Sequence, residues 1–180
     1  NDFVSVVAAA PGTIIWRQDQ NFDKQCVWGN NQWNAVYVQH ADGTIAWYGH
    51  LKQNGLTDKE MGDAVEAGEF LGYLASSGRS SGPHLHLEIR STNNTTIDPY
   101  AGNCNDLLGS VSWAEPQNYK VPTINALLTH DAPPSPGCPD TQEATNFSNS
   151  FDVGQIIYIG AYYRDQLAGT SATFTIRNPD

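Results

Sequence analysis

Short stretches of strict apolar–polar alternation, separated by turn residues, fill the first hundred positions of the chain. Val6 to Ala9 and Thr13 to Trp16 read as two strands joined at Pro11-Gly12. Arg17 to Gln32 is polar and rich in Asn and Gln, and reads as a loop. Asn34 to His40 alternates again, with Val36, Val38 and His40 on one face. Asp42-Gly43 is a two-residue hairpin signal, and Ile45 to His50 returns as the partner strand. Leu51 to Glu69 reads as a polar connection with at most one helical turn. Phe70 to Ala75 is a short apolar strand, Asn93-Asn94 a turn, and Ile97 to Tyr100 closes the sheet. No apolar pattern is long enough for a solid helix, and no internal repeat is present.

The pattern changes near Trp113. Pro116 to Pro122 reads as a linker, and Pro133 to Pro139 as an extended loop. Ile124 to Thr129, Ile156 to Tyr163 and Ala172 to Arg177 read as strands, too few for a complete β-sandwich. The expected class is all-β: antiparallel sheets built of hairpins, followed by a small, incomplete β-sandwich module. The expected division is a first domain over 1–115, a linker over 116–122 and a module over 123–180.

Charge narrows the range of functions. The 180 residues carry 9 Lys and Arg against 19 Asp and Glu, a formal charge of −10. That balance argues against nucleic acid and against anionic membrane surfaces as partners. No apolar run approaches the roughly 20 residues needed to span a bilayer. Cys26, Cys104 and Cys138 are an odd set with no C-x-x-C pair, which disfavours a cysteine zinc site.

The candidate chemistry lies in Ser76-Ser77-Gly78-Arg79-Ser80-Ser81-Gly82-Pro83-His84-Leu85-His86-Leu87-Glu88-Ile89. Pro83 suits the start of a strand. Leu85, Leu87 and Ile89 then face a core, and His84 and His86 share the other face, roughly 6.5 to 7 Å apart at strand rise. Such a pair suits one metal ligand beside one acid–base group. The small residues ahead of it let a substrate backbone approach closely. The plain alternative is a surface pair on a strand. Against it stand the clean apolar face, the Gly-rich loop and a third histidine in Trp47-Tyr48-Gly49-His50-Leu51.

Taken together, Tyr-Gly-His-Leu at 48–51 and Ser-Ser-Gly-x-Ser-Ser-Gly-Pro-His-Leu-His-Leu-Glu at 76–88 resemble the lysostaphin/LytM-type zinc metalloendopeptidases. Gly62-Asp63-Ala64-Val65-Glu66-Ala67-Gly68 lies between them, and the ordered match spans roughly residues 6 to 100. The resemblance implies a LytM-type β fold and a Zn2+ cofactor held by His86, with His50 and His84 as the catalytic pair. It implies peptidoglycan cross-links or Gly-rich peptides as substrate, a secreted or periplasmic location and a monomer. Gly-Gly bridges, D-amino-acid cross-links and loose Gly-rich segments are all cut within the family. The loops at 30–33 and before His84 would wall a groove for extended peptides. Because the family is exported, one disulfide with a third cysteine left over is expected, with three free thiols the alternative.

The family's other two zinc ligands, a His and an Asp from one upstream segment, have no match here. No histidine precedes His40, and Asp2 reads better as a solvated terminal residue than as a ligand. The expectation is that the ligand-bearing segment lies before Asn1. The alternative function is a non-catalytic cell-wall-binding or activator module with an incomplete metal site. His40 reads as structural and His130 as a surface residue. Glu88 reads equally as an orienting partner for a histidine or as a solvated carboxylate. Tyr48 is a candidate cleft residue, and Trp28, Trp33 and Trp47 are core or rim.

Overall fold

The computed structural model describes residues 4–23, 32–100, 112–116, 118, 120–135 and 144–177. Cys26, Cys104, Cys138, Asp2 and Trp28 lie outside them. The described residues contain strands, turns and irregular chain but no helix, so the all-β expectation holds. No helix among them is long and apolar enough to cross a membrane. Two compact units result: Asn1–Pro116 with Pro136–Ala144, and Gln117–Ser135 with Thr145–Asp180.

Among its described residues the first unit holds nine strands: β1 (Ser5–Val7), β2 (Gly12–Gln18), β3 (Ala35–Gln39), β4 (Ile45–Gly49), β5 (Leu51–Leu56), β6 (Ala64–Val65), β7 (Phe70–Leu74), β8 (His86–Arg90) and β9 (Thr96–Ile97). Six form one sheet in the order β6-β2-β3-β4-β8-β9, and three form another in the order β1-β7-β5. Every pairing is antiparallel. Alternation sends Val36 and Val38 of β3, Ala46 and Tyr48 of β4 and Ile14 of β2 into one core. Val6, Leu51, Val65 and Leu71 join that core, and Leu85, Leu87 and Ile89 pack against it.

The opposite face of the large sheet carries an aromatic row set by register. Trp16 lies opposite Tyr37, and Tyr37 opposite Trp47. Trp16 and Tyr37 are 4.4 Å apart between ring centroids; Tyr37 and Trp47 stack at 4.3 Å and 3°. The Arg90 guanidinium covers the Trp47 ring at 4.1 Å. Each pair of this kind adds about 0.2–1 kcal/mol to a sheet, and the row leaves the faces of Tyr37 and Trp47 occupied.

Several expectations change. The hairpin between β3 and β4 turns over His40–Gly43, not Asp42-Gly43 alone. Gly43 N–H donates to His40 O at 2.9 Å, Gly43 has φ 85°, and His40 N–H donates to Thr44 O. Leu51 to Glu69 contains β5 and β6 and is no mere connection. The β8 strand starts at His86, so His84 precedes it; His84 N–H donates to Ala75 O at 3.1 Å. Tyr48 is a core residue, 1% exposed, whose hydroxyl accepts the Ala9 N–H at 2.8 Å.

The second unit contains one hairpin among its described residues, β10 (Thr123–His130) paired with β11 (Tyr158–Arg164). Residues 172–177, expected as a strand, are exposed and pair with no described strand. His130 is not a surface residue: it is 2% exposed. Thr145 O accepts from its Nδ1 at 2.8 Å, and Nε2 lies 3.2 Å from the Tyr162 hydroxyl, so both ring nitrogens have partners.

Candidate active site

His50 follows the last residue of β4 in an unusual backbone state, φ 61°. Non-Gly residues seldom adopt it, so the local structure must hold it. Ala75 N–H donates to His50 O at 3.1 Å, and Leu51 N–H donates to Asn34 O at 2.9 Å. Asn34 is itself fully buried. Its side-chain amide donates to Asn21 O and Leu51 O, and its side-chain carbonyl accepts the Asn21 N–H. The kink turns the ring of His50 out of the alternation that buries Tyr48. His50 Nδ1 donates to Ser77 O at 2.6 Å.

The Gly-rich loop supplies that carbonyl and is tied down in turn. Ser77 Oγ donates to Leu51 O at 2.7 Å and accepts the Asn34 N–H at 3.0 Å. Ser76 Oγ donates to Ser80 Oγ, which donates to Gly82 O. Gly78, at φ 73°, lies against Trp33, where a Cβ would sit 2.6 Å from the Trp33 Cβ. Only glycine fits there on both counts.

Three imidazoles meet at the end of this loop. The ring centroids of His50 and His84 are 4.6 Å apart, and those of His50 and His86 are 5.7 Å apart. The register of β4 against β8 puts His86 opposite Gly49, one residue from His50. A side chain at Gly49 would run into the Trp33 ring. Trp33 meets both His50 and His86 edge-on at 5.0 Å.

Each imidazole is held by one nitrogen. His50 uses Nδ1, as does His84, whose Nδ1 donates to Gly82 O at 2.9 Å. His86 instead uses Nε2, which donates to Glu88 Oε2 at 2.9 Å. Glu88 also accepts from Arg90 at 2.6 Å and from Thr96 at 3.0 Å. Burial works to raise its pKa, but the bonds from His86, Thr96 and Arg90 outweigh it and hold the carboxyl below its ordinary value. Glu88 is therefore an orienting partner of His86 and not a merely solvated carboxylate. Burial also pulls His50 below the ordinary histidine value, against its bond to Ser77, with the neighbouring imidazoles adding to the fall.

The cleft beside them has a volume of about 410 Å³. Trp16, Gln18, Gln32, Trp33, Tyr37 and Arg79 line it, and His50 and His86 complete the lining. His40 stands apart from this group, with Nδ1 on Pro11 O at 2.9 Å.

His86 fits one corner of a metal site, because it is backed by the Glu88 carboxylate at Nε2, the usual state of a metal-binding histidine, and its Nδ1 has no hydrogen-bond partner among the described residues. Among the described residues no group of three His, Cys, Asp or Glu is placed to hold an ion. The described residues alone do not complete a zinc site.

The model of peptidase family M23 matches residues 3–99, just over half of the chain. The chain belongs to peptidase family M23. Its M23 region is similar to the DD-carboxypeptidase/endopeptidase Mpg of Neisseria meningitidis, 41% identical over 66 residues, 37% of this chain and 14% of that protein. It is also similar to the peptidoglycan DD-endopeptidase ShyC of Vibrio cholerae, 32% identical over 88 residues, 49% of this chain and 19% of that protein. The chain thus matches under a fifth of either relative's length. Among solved structures, the catalytic domain of the prophage-encoded M23 protein EnpA from Enterococcus faecalis aligns with a TM-score of 0.43 and 31% identity, covering 54% of this chain and 68% of that one.

Proposed function

We propose that this M23 chain is the peptide-cleaving part of a secreted or periplasmic zinc endopeptidase that acts on peptidoglycan cross-links or Gly-rich peptides. The observation that carries this reading is the arrangement of His50, His84 and His86, each tied back through one nitrogen and, among the described residues, with no hydrogen-bond partner at the other. His86 would hold zinc through Nδ1, with the remaining ligands from outside the described residues. The metal, when bound, supplies Lewis-acid polarisation. His50 stays neutral near neutral pH because it is buried, which suits it to accept the proton of an attacking water at Nε2. His84, exposed beside it, would donate to the oxygen that gains charge as the peptide carbon becomes tetrahedral. The working form is taken as a monomer.

The test is digestion of purified peptidoglycan, read as new amino termini, with zinc and with a chelator. Zinc-dependent release that is lost in His50→Ala and His84→Ala supports the reading, provided both variants keep their melting temperature. Release that survives both substitutions would sink it. Alone, this chain should bind zinc at least about a hundredfold more weakly than a protein with three fixed ligands, using the loss from outer partners as a floor. Tight one-to-one binding in a calorimetric titration would show that the ligands have been misplaced.

A second reading has an observation of its own: the described residues leave the metal set incomplete. It makes the chain a binding or activator module. Retention of the chain on peptidoglycan without any release, in the longest form of the protein, would favour it.

A further inference from the structure

Resting on the endopeptidase reading, we infer that Trp33 is a positioning residue for the reaction: its indole fixes the ring of His50 relative to the ring of His86. Each of these imidazoles is held at one nitrogen, His50 by Ser77 O at 2.6 Å and His86 by Glu88 at 2.9 Å. One hydrogen bond places one atom, and its directional preference is broad enough to let the ring tilt about it. The plane of each ring needs a packing contact as well. Trp33 supplies both contacts. It meets His50 at 5.0 Å and 77°, and His86 at 5.0 Å and 72°. Aromatic rings favour such crossed arrangements at centroid separations of about 4.5–7 Å.

The surrounding chain is shaped to admit this indole. Gly49 directly precedes His50 and lies opposite His86 in the pairing of β4 with β8. A Cβ on Gly49 would run into the six-membered part of the Trp33 ring. Gly78 follows the Ser77 whose carbonyl holds His50, and a Cβ there would sit 2.6 Å from the Trp33 Cβ. Side chains are thus missing at both points where Trp33 enters. The indole is also held from behind. Its Nε1 donates to the Tyr37 hydroxyl at 3.3 Å, and Trp47 meets it edge-on at 6.5 Å. Trp33 O accepts from the Asn21 side-chain amide at 3.2 Å, and the next residue, Asn34, is fully buried. A ring locked at both rim and backbone acts as a fixed stop for the rings it touches.

In the proposed reaction His50 takes a proton at Nε2 and His86 would hold zinc at Nδ1. The tilt and separation of the two rings set where one nitrogen stands relative to the other. A misplacement of about 1 Å in such geometry costs about a hundredfold in rate. The competing role for Trp33 is a cleft wall that touches both imidazoles and only binds substrate. The two roles differ in what they do to turnover.

The experiment compares the wild type with Trp33→Ala, Trp33→Leu and Trp33→Phe. On this chain without metal, NMR reads the cross-relaxation between the ring protons of His50 and His86, whose centroids stand 5.7 Å apart. The signal should be present in the wild type and in Trp33→Phe, and lost in Trp33→Ala. If Trp33→Ala does not fold, Trp33→Leu, which keeps an apolar filling but no ring, is read in its place. Turnover is measured on a soluble cross-linked wall peptide with zinc and the longest form of the protein. Trp33→Ala should lose about ten- to a hundredfold in kcat, with KM changed by less than about threefold, and Trp33→Phe should recover most of the loss. An unchanged contact between the His50 and His86 rings in the folded Ala or Leu variant overturns the inference. So does a raised KM with kcat unchanged, which is the mark of a cleft wall. If the wild type cuts nothing, the endopeptidase reading fails by itself, and the NMR signal alone decides whether Trp33 fixes the two rings.

Discussion

Removing the Ser77 hydroxyl tests whether the cleft is held by buried polar bonds. Ser77 and Asn34 are both 0% exposed. In Ser77→Ala, Leu51 O keeps its bond from the Asn34 side-chain amide at 3.1 Å. The Asn34 N–H, which donates to Ser77 Oγ at 3.0 Å, is left with no acceptor. The gap of one oxygen is too small to admit a water. An orphaned buried donor costs about 1–3 kcal/mol, so a loss of about 2 kcal/mol is expected. For a unit of this size that is roughly 6–10 °C in melting temperature. Ser76→Ala is the matched control. Among the described residues its hydroxyl donates only to Ser80 Oγ and no backbone group depends on it, so it should cost about 1 kcal/mol or less. Urea unfolding followed by tryptophan emission gives both values, with the slope unchanged if only the native state is affected. If Ser77→Ala is as stable as wild type, or loses no more than Ser76→Ala, the reasoning is wrong.

Glu88→Gln keeps the shape at His86 but removes the carboxylate that orients it. Zinc affinity of the longest form of the protein should fall about 10–100-fold by calorimetry, and an unchanged value would return Glu88 to a purely structural part. The pKa of His50, lowered mainly by burial, has a sign that can be worked out. Below the unfolded value, about 6.5, the unfolded chain takes up this proton first. The first unit should therefore lose stability as pH falls through 6.5 towards the lower folded value, and regain it as pH rises. A ring-proton NMR titration that put His50 at or above the ordinary histidine value would contradict this.

Period-two reading located β3, β4 and β8 through Val36 and Val38, Ala46 and Tyr48, and Leu87 and Ile89, while β7 was legible as a short apolar run. It missed β5 for a physical reason. Only Leu51 and Leu56 are apolar in that strand, and its register against β7 is broken between them, with Asn54 at φ 56°. A break of this kind shifts the faces, and alternation no longer marks a strand. Residues 172–177 failed in the other direction. Their composition suits a strand, but a ladder needs a partner, and composition does not supply one.

The candidate site divides along the same line. The residue types are legible, because Gly-rich loop, His-x-His and Tyr-Gly-His are local patterns. What each imidazole does is set by its held nitrogen, and for two of the three no residue type announces the partner. For His50 and His84 they are the carbonyls of Ser77 and Gly82, which any residue at those positions would possess. Counting forward from Tyr48 along a strand puts His50 on the same face, and a positive φ at His50 breaks that count. The break sends Tyr48 to the core and His50 to the cleft, so the step that builds the candidate site is the one that alternation does not carry. The same argument covers His130, buried because Thr145 O and the Tyr162 hydroxyl reach both its nitrogens from far along the chain. A histidine's environment is decided by which distant groups meet it, and two histidines with equally bland neighbours, His40 and His130, end up half-buried and buried for that reason alone.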